Sequence, residues 1–224
     1  MYEDLFDEKS RMVEFKGKEK THKDRIIQTS HYESDLLCRE CDGVILFQLE
    51  NNFKQNLLIP VKEHSKTLSP PLGIEQFEVQ VEYQKIKLFF LSLLWRFSIS
   101  NDPTYRAIDL GPHQEEIRRM IFEGDPREYY VYPFVLFSFL NKENFDAPIS
   151  VTKLSGTPLL NKRDQGHEYL TLFSGLMMIL RVSNKRDKKN FEITYRGENK
   201  VLVFYFPEKK LKDLVNHWFR GKLF

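Results

Sequence analysis

Two cysteines separated by two residues, Cys38 and Cys41, have the types and spacing that most clearly predict chemistry. Thiolates at this spacing can bind one tetrahedral Zn²⁺, but a structural zinc site needs four ligands and the sequence holds no second cysteine pair. His22 or His31, upstream of the pair, makes a Cys2His2 site stereochemically feasible, although the spacing is not a standard one. Zinc is therefore the candidate cofactor. An inert remnant of a decayed site and a redox-active pair are the alternatives.

The basic residues near the C-terminal end are the second group that could bind a ligand. The formal net charge is only +2, so the charge of the whole chain gives no argument for a nucleic-acid partner. Residues 181–222, however, hold twelve Lys or Arg against five Asp or Glu. We expect a DNA or RNA partner to contact the cluster Lys185, Arg186, Lys188 and Lys189. A solvated surface is the alternative explanation of such a run.

A third group of charged side chains lies in and after a loop. Its members are Arg96, Asp102, Arg106, Asp109, His113, Glu115 and Glu116. They could form a carboxylate-metal site or an anion site, and helix capping with ion pairing explains the same residues without chemistry. We therefore expect Arg96 and Arg106 to be either structural, through ion pairs and carbonyl contacts, or anion-binding.

These groups must be positioned by the most apolar part of the sequence, residues 83–100. Between residues 86 and 99 only Lys87, Ser92, Arg96 and Ser98 are polar, so a helix here is apolar around most of its circumference. We expect a central helix that neighbours bury on several sides. The run is shorter than the roughly 20 apolar residues of a membrane span and is interrupted by charges, so we expect no membrane partner.

Length, composition and the absence of targeting motifs indicate the compartment and the class of protein that we expect. A chain of 224 residues with 41% hydrophobic content can bury a sizeable core. Two cysteines exclude a disulfide scaffold and suit a reducing compartment. We find neither a secretory signal nor a lipidation motif, so we expect a cytoplasmic protein.

The second half of the sequence changes from helical to strand periodicity. Aromatic and β-branched residues predict strands at residues 129–140, 149–154, 169–182, 191–195 and 201–206, with a bend or bulge at Gly175 in the long third strand. Residues 208–221 predict a closing amphipathic helix. Strands gathered after helices indicate an α+β fold with a mainly antiparallel C-terminal sheet.

The first half predicts a small head and a linker. Residues 12–28 could form a hairpin that turns at Gly17, and the cysteine turn opens into a helix marked by Leu46, Leu49 and Phe53. A break at Pro60 and the Ser-Pro-Pro-Leu-Gly run at residues 69–73 indicate a linker. We therefore divide the chain into a knuckle-like head (1–58), a linker (59–75) and an α+β body (76–224).

The body begins with the central helix, which could start as early as Gln76. A second helix of the body is predicted to start near Pro112 and to end at Gly124 and Pro126.

Three segments together resemble a poorly characterised bacterial family with an HNH-like, treble-clef zinc head. They are the run LLCRECDGVILFQLENNF at residues 36–53, the Trp95-Arg96 pair, and LGPHQEEIRRMI at residues 110–121. The resemblance implies a metal-dependent endonuclease. The sequence lacks the family's first cysteine pair and its Ser-His segment, which would supply the remaining ligands and the catalytic base. We therefore expect a truncated or degenerate relative.

Two hypotheses of function follow from these observations. The first is a degenerate or truncated HNH-nuclease-like protein that associates with nucleic acid, in which His31 imitates the Ser-His pair only superficially. The second is a non-catalytic interaction subunit of a bacterial defence or toxin system, whose head docks on a partner protein.

Overall fold

The chain adopts an α+β fold, as the sequence predicted. The computed structural model describes residues 12–14, 25–27, 36–67, 75–102, 105–106, 108–138, 150–153, 166–173, 175–183, 197 and 199–205. Helices dominate the first half of the described chain and strands the second. No helix within these residues is long and apolar enough to cross a membrane.

A small hairpin comes first in the described chain. Its strands are β1 (Met12–Glu14) and β2 (Arg25–Ile27), which pair antiparallel with Val13 opposite Ile26. This pairing confirms the predicted hairpin, while the turn, which was expected at Gly17, lies outside the described residues.

The main sheet has six strands in the order β3-β8-β4-β7-β6-β5. The strands are β3 (Glu75–Gln80), β4 (Phe134–Ser138), β5 (Ser150–Lys153), β6 (His167–Phe173), β7 (Leu176–Val182) and β8 (Lys200–Tyr205). Neighbours pair antiparallel except β4 and β8, which are parallel, so the sheet is mainly antiparallel as expected. The last described strand, β8, joins β3 from the first half of the chain to the rest.

One predicted strand and the predicted start of the central helix need correction. The long strand predicted at residues 169–182 is a hairpin of β6 and β7, because Gly175 adopts φ +74° in the turn between them and does not mark a bulge. Gln76 lies in β3, so the central helix does not begin there. The predicted strand at 191–195 and the closing helix at 208–221 lie outside the described residues.

One continuous helical stretch follows the cysteine pair. It consists of a π-helical segment (Cys41–Leu46), α1 (Phe47–Phe53), a second π-helical segment (Lys54–Leu58) and α2 (Ile59–Thr67). The helix therefore continues through Pro60, and the break expected there is wrong. A proline clashes with the carbonyl of the preceding turn and donates no hydrogen bond, and the wider π turn before Pro60 relieves this conflict. The first part of the proposed linker, 59–75, is thus helical.

The central helix α3 (Tyr83–Ile99) holds the structure together and is buried from Ile86 to Trp95. On one side Phe53 stacks on Phe89 with ring centroids 4.1 Å apart. Phe90 meets Phe134 of the sheet edge-on at 4.8 Å and also lies edge-on to Phe53 at 5.9 Å. A further helix, α4 (His113–Glu123), packs its Phe122 against Trp95 at 5.5 Å and ends at Gly124. Helical stretch, central helix and one sheet face thus share a single core.

Two glycines, Gly43 within the helical stretch and Gly124 at the end of α4, allow a test of this backbone, because the same substitution should have opposite effects. Gly124 has φ +68°, so Gly124→Ala should lower the free energy of unfolding by about 1 kcal/mol. An added Cβ at Gly43 meets no atom within 4 Å, so Gly43→Ala should raise it by about 0.5–1 kcal/mol. Urea denaturation measures both, and a shift of the same sign in both variants would contradict the assigned helix end.

Candidate functional site

The cysteine pair lies where the helical stretch begins. The Cys41 backbone N–H donates to Cys38 Sγ at 3.4 Å, and the Asp42 N–H donates to the Cys38 carbonyl oxygen at 3.1 Å. Both thiols are free, with Cys38 exposed and Cys41 partly exposed. The turn therefore presents two sulfur atoms side by side at the end of a helix that is anchored in the core.

The two thiols differ in acidity because they face each other. The thiol and the backbone N–H of Cys41 both donate to Cys38 Sγ, which lowers the pKa of Cys38. The same contact raises the pKa of Cys41, since its thiol is the donor. The charge of Arg118 on α4 lowers the pKa of Cys41 slightly and so opposes this rise. Deprotonation of the pair therefore begins at Cys38.

Cys38 and Cys41 supply half of the ligand set that the sequence predicted. His22 and His31, the other predicted ligands, lie outside the described residues. Within the described part of the chain, no three His, Cys, Asp or Glu side chains are grouped as a metal site. The basic cluster Lys185, Arg186, Lys188 and Lys189 also lies outside the described residues.

Arg96 connects the central helix to the helical stretch. Its Nη1 atom is 2.8 Å from Glu50 Oε1, and its Nε donates to the Ser92 carbonyl oxygen at 3.3 Å. Both charged side chains are largely shielded from solvent, with 16% and 24% exposure. The ion pair thus links the central helix to the helical stretch. Arg106 lies exposed in the turn after Tyr105.

The expected carboxylate cluster is divided among separate local contacts. Glu115 binds Arg118 with two hydrogen bonds of 2.8 Å on the solvent face of α4. Asp109 accepts the Gly111 N–H at 2.8 Å and so caps the loop before α4. These two carboxylates thus have the capping and ion-pairing roles that were the alternative to a metal or anion site. They contact different partners and do not share a site.

Glu116 instead belongs to a three-residue chain of hydrogen bonds. The Tyr132 hydroxyl donates to Glu116 Oε2 at 2.6 Å and lies 2.8 Å from His113 Nδ1. A hydroxyl has one proton, so His113 Nδ1 must be protonated and donate to the Tyr132 oxygen. The neutral imidazole therefore keeps its lone pair on Nε2, the form that can accept a proton or bind a metal.

Burial and backbone strain accompany this chain of hydrogen bonds. Burial lowers the pKa of His113. The charge of nearby Glu116 raises it in part, and His167 lowers it further. Tyr132 is 2% exposed and adopts φ +49°, a left-handed conformation that is costly for a side chain of this size. The sequence identified His113 and Glu116 but not Tyr132, because only the fold brings it to α4.

Lys87 is the most perturbed cation of the central helix. It is fully buried, and its Nζ donates to the Glu128 carbonyl oxygen at 2.7 Å. Burial lowers its pKa to about 7, while Glu128 and Asp125 act against this change. A lysine inside the apolar run at residues 86–99 was visible in the sequence, but its partner was not. Lys87 ties α3 to the loop that leads into β4.

A second buried charge pair lies on the sheet. Glu168 of β6 is opposite Arg181 of β7 in the register, and both are almost fully buried. Burial raises the pKa of Glu168 to about 7, and the charge of Arg181 limits the rise. A Cβ at Gly166 would lie 2.9 Å from Arg181 Nε, so the glycine makes room for this arginine.

Comparison with known proteins identified no relative. No protein-family model matches the chain, and no match was found among curated proteins or solved structures. Its function must therefore be argued from its own residues.

The Lys87 contact predicts a specific pH dependence of stability. The pKa of Lys87 is about 7 in the folded chain and 10.5 for an ordinary lysine, so between these values the unfolded chain binds the extra proton. The free energy of unfolding should therefore rise with pH from about 7 to 10, by up to about 1.4 kcal/mol per pH unit. Lys87→Met should remove this contribution. Lys85→Met, at a half-exposed position on the same helix, should keep it. Equal slopes in both variants, measured by urea denaturation, would contradict the assignment.

The hydrogen-bonded chain predicts how His113 titrates. Glu116→Gln removes the carboxylate charge that favours the imidazolium, so the pKa of His113 should fall further. Glu115→Gln, next to it on the solvent face, should change this pKa much less. Nitrogen-15 chemical shifts of the imidazole measure both the pKa and the tautomer. A neutral ring protonated mainly on Nε2 in the wild-type chain would refute the hydrogen-bond order.

Proposed function

We propose that this chain is a degenerate HNH-like protein with a metal-binding knuckle that associates with nucleic acid. The observation that most supports the proposal is the cysteine turn, in which Cys38 Sγ accepts the Cys41 N–H at 3.4 Å at the start of the helical stretch. Zinc is the metal that best suits a pair of thiolates at this spacing, and it would supply cross-linking of the head rather than chemistry.

The donor set fits half of a tetrahedral zinc site. Two cysteine sulfurs lie at the surface of the turn, where an incoming ion can reach them. Backbone N–H groups that donate to ligand sulfur orient the ligands from outside the coordination shell, and the Cys41 N–H has this role toward Cys38. His22 and His31 are the proposed remaining ligands.

The surroundings of the turn support a structural role for the proposed metal. Leu46, Leu49 and Phe53 of the helical stretch are buried against the central helix, and Glu50 pairs with Arg96. A metal that joined the N-terminal segment to Cys38 and Cys41 would therefore fix that segment to the core. The proposal assigns binding to this chain and no catalytic residue.

The proposed nucleic-acid surface is the cluster Lys185, Arg186, Lys188 and Lys189. Its support is the charge excess of residues 181–222, which would attract a phosphate backbone even though the net charge of the chain is only +2.

A second candidate function, the non-catalytic interaction subunit, is favoured by a separate observation. Val44, Phe47 and Ile59 are 49%, 60% and 39% exposed, and all three lie on the helical stretch. Exposed apolar side chains gathered on one element are typical of a surface that binds protein.

The first experiment is elemental analysis of protein purified without chelators or a metal-binding tag. We expect about one zinc per chain in the wild type, and none in the double variant Cys38→Ser, Cys41→Ser. His167→Ala, at an exposed histidine on β6, should keep its zinc and serves as the control. Absence of zinc from the wild-type chain would refute the knuckle. A disulfide found in its place would favour the redox alternative.

The nucleic-acid part of the proposal is tested separately by fluorescence anisotropy with single- and double-stranded DNA probes. Four phosphate contacts would weaken binding on the order of 100-fold between 50 and 200 mM salt. Replacing Lys185, Arg186, Lys188 and Lys189 by Ala should weaken binding and flatten this salt dependence. The control replaces Lys85, Arg118, Arg119 and Arg127 by Ala, since these exposed cations already pair with carboxylates. Equal losses in both variants would refute the assigned surface.

A further inference from the structure

Cys38 and Cys41 occupy a turn that continues directly into a helix. Residues 39 and 40 are already helical, so Cys38 is the residue before the first turn of this helix. Its carbonyl oxygen accepts the Asp42 N–H at 3.1 Å, and its Sγ accepts the Cys41 N–H at 3.4 Å. The sulfur of Cys38 thus takes the place that a serine or aspartate oxygen often takes at the start of a helix. Its position is therefore set by the helix backbone.

The same turn brings the two sulfur atoms together. The Cys41 thiol donates a hydrogen bond to Cys38 Sγ, so the sulfurs face each other across one turn of the helix. Helix positions three residues apart have Cα atoms about 5 Å apart. This separation lies inside the range of roughly 4.4–6.8 Å over which two cysteines usually form a disulfide. A bond between Cys38 and Cys41 therefore requires side-chain rotation and no rearrangement of the backbone.

The two thiols differ in how easily a reagent reaches them. Cys38 is exposed, as are Arg39 and Glu40 beside it, whereas Cys41 is only partly exposed. A reagent from solvent therefore meets the Cys38 sulfur first, with the Cys41 sulfur next to it. This is the arrangement of an attacking cysteine and a resolving cysteine. The sequence holds no other cysteine, so no second pairing competes within the chain.

The core holds the helix that presents this pair. Leu46, Leu49 and Phe53 are buried, and Phe53 stacks on Phe89 of the central helix with ring centroids 4.1 Å apart. The backbone under the two cysteines is thereby fixed. Reacting groups that are held in place behave as if they were at a high effective concentration. The anchored helix therefore favours formation of a bond between the two sulfurs once one of them has reacted.

We propose that Cys38 and Cys41 form a reversible dithiol–disulfide pair, which a low-molecular-weight disulfide such as oxidised glutathione oxidises, with Cys38 as the attacking cysteine. The Cys38 thiolate attacks one sulfur of the oxidant, so that a mixed disulfide forms and one glutathione leaves as its thiolate. The Cys41 thiolate then attacks Cys38 Sγ, which forms the intramolecular disulfide and releases the second glutathione. The chain loses two electrons and two protons, and both are recovered in two molecules of reduced glutathione.

This redox pair goes beyond the proposed zinc knuckle and does not depend on it. A metal needs both sulfurs as free thiolates, whereas the disulfide bonds them to each other, so the two states exclude one another. Where zinc is bound as proposed, the same oxidation would release it. The oxidation state of the pair would then control whether the cysteine turn holds the metal.

Oxidation of the reduced, metal-free full chain by oxidised glutathione tests the proposal, with intact-mass analysis after acid quenching. The wild type should lose the mass of two hydrogens and keep no glutathione. Cys41→Ser should stop with one glutathione attached, because no second thiol can displace it. Cys38→Ser should gain glutathione at least about tenfold more slowly, since Cys41 is less exposed. A wild type that retains glutathione, or equal rates for the two variants, would overturn the proposal.

The unfolded chain separates the effect of the fold from that of cysteine spacing. The same experiment in concentrated urea measures closure of the disulfide when no helix holds the pair. The mixed disulfide of the folded wild type should close at least about tenfold faster than that of the unfolded chain. Equal rates of closure would mean that the turn does not arrange the sulfurs, which contradicts the proposal. No metal takes part in either measurement, so the result is independent of the zinc knuckle.

Discussion

Burial of the central helix is the constraint on which the rest of the structure depends. Phe89 of α3 stacks on Phe53 of the helical stretch, and its neighbour Phe90 meets both Phe53 and Phe134 of the sheet edge-on. Two layers are therefore held by adjacent residues of one helix. Because the interior is close-packed, a change in the position of either layer is transmitted directly to the other.

Such burial makes unpaired polar groups of the helix costly, and its buried or half-buried polar side chains have partners within the protein, although Arg96 Nη2 has no hydrogen-bond partner among the described residues. Ser92 donates to the Phe89 carbonyl oxygen at 2.7 Å, Lys87 to the Glu128 carbonyl oxygen, and Arg96 to Glu50. Each partner lies on a different neighbour: the helix itself, the loop before β4, and the helical stretch. Removing one partner would leave a buried charge or donor unpaired, which costs more than the contact itself contributes. The polar groups thus set the orientation of elements that apolar packing alone would hold less specifically.

The sequence predicted the elements whose pattern is strong and failed where tertiary context decides. A nearly all-apolar run predicted α3, and runs rich in aromatic and β-branched residues predicted β4, β7 and β8. The strand β3 was missed because Glu75, Gln76, Glu78 and Gln80 are exposed, as on an edge strand, and look like loop residues. Pro60 looked like a helix break because a π turn cannot be read from residue types. The Glu116–Tyr132–His113 chain joins positions 16 and 19 residues apart, which no local pattern relates.

The cysteine turn opens the same helix that Phe53 and Glu50 join to the central helix. Metal bound at Cys38 and Cys41, as proposed, would fix the first turn of that helix. Two interactions that stabilise one element favour each other, and the coupling free energy is the same in both directions. Loss of the Arg96–Glu50 pair should therefore weaken the proposed metal binding, because the helix that presents the cysteines would then be less firmly held.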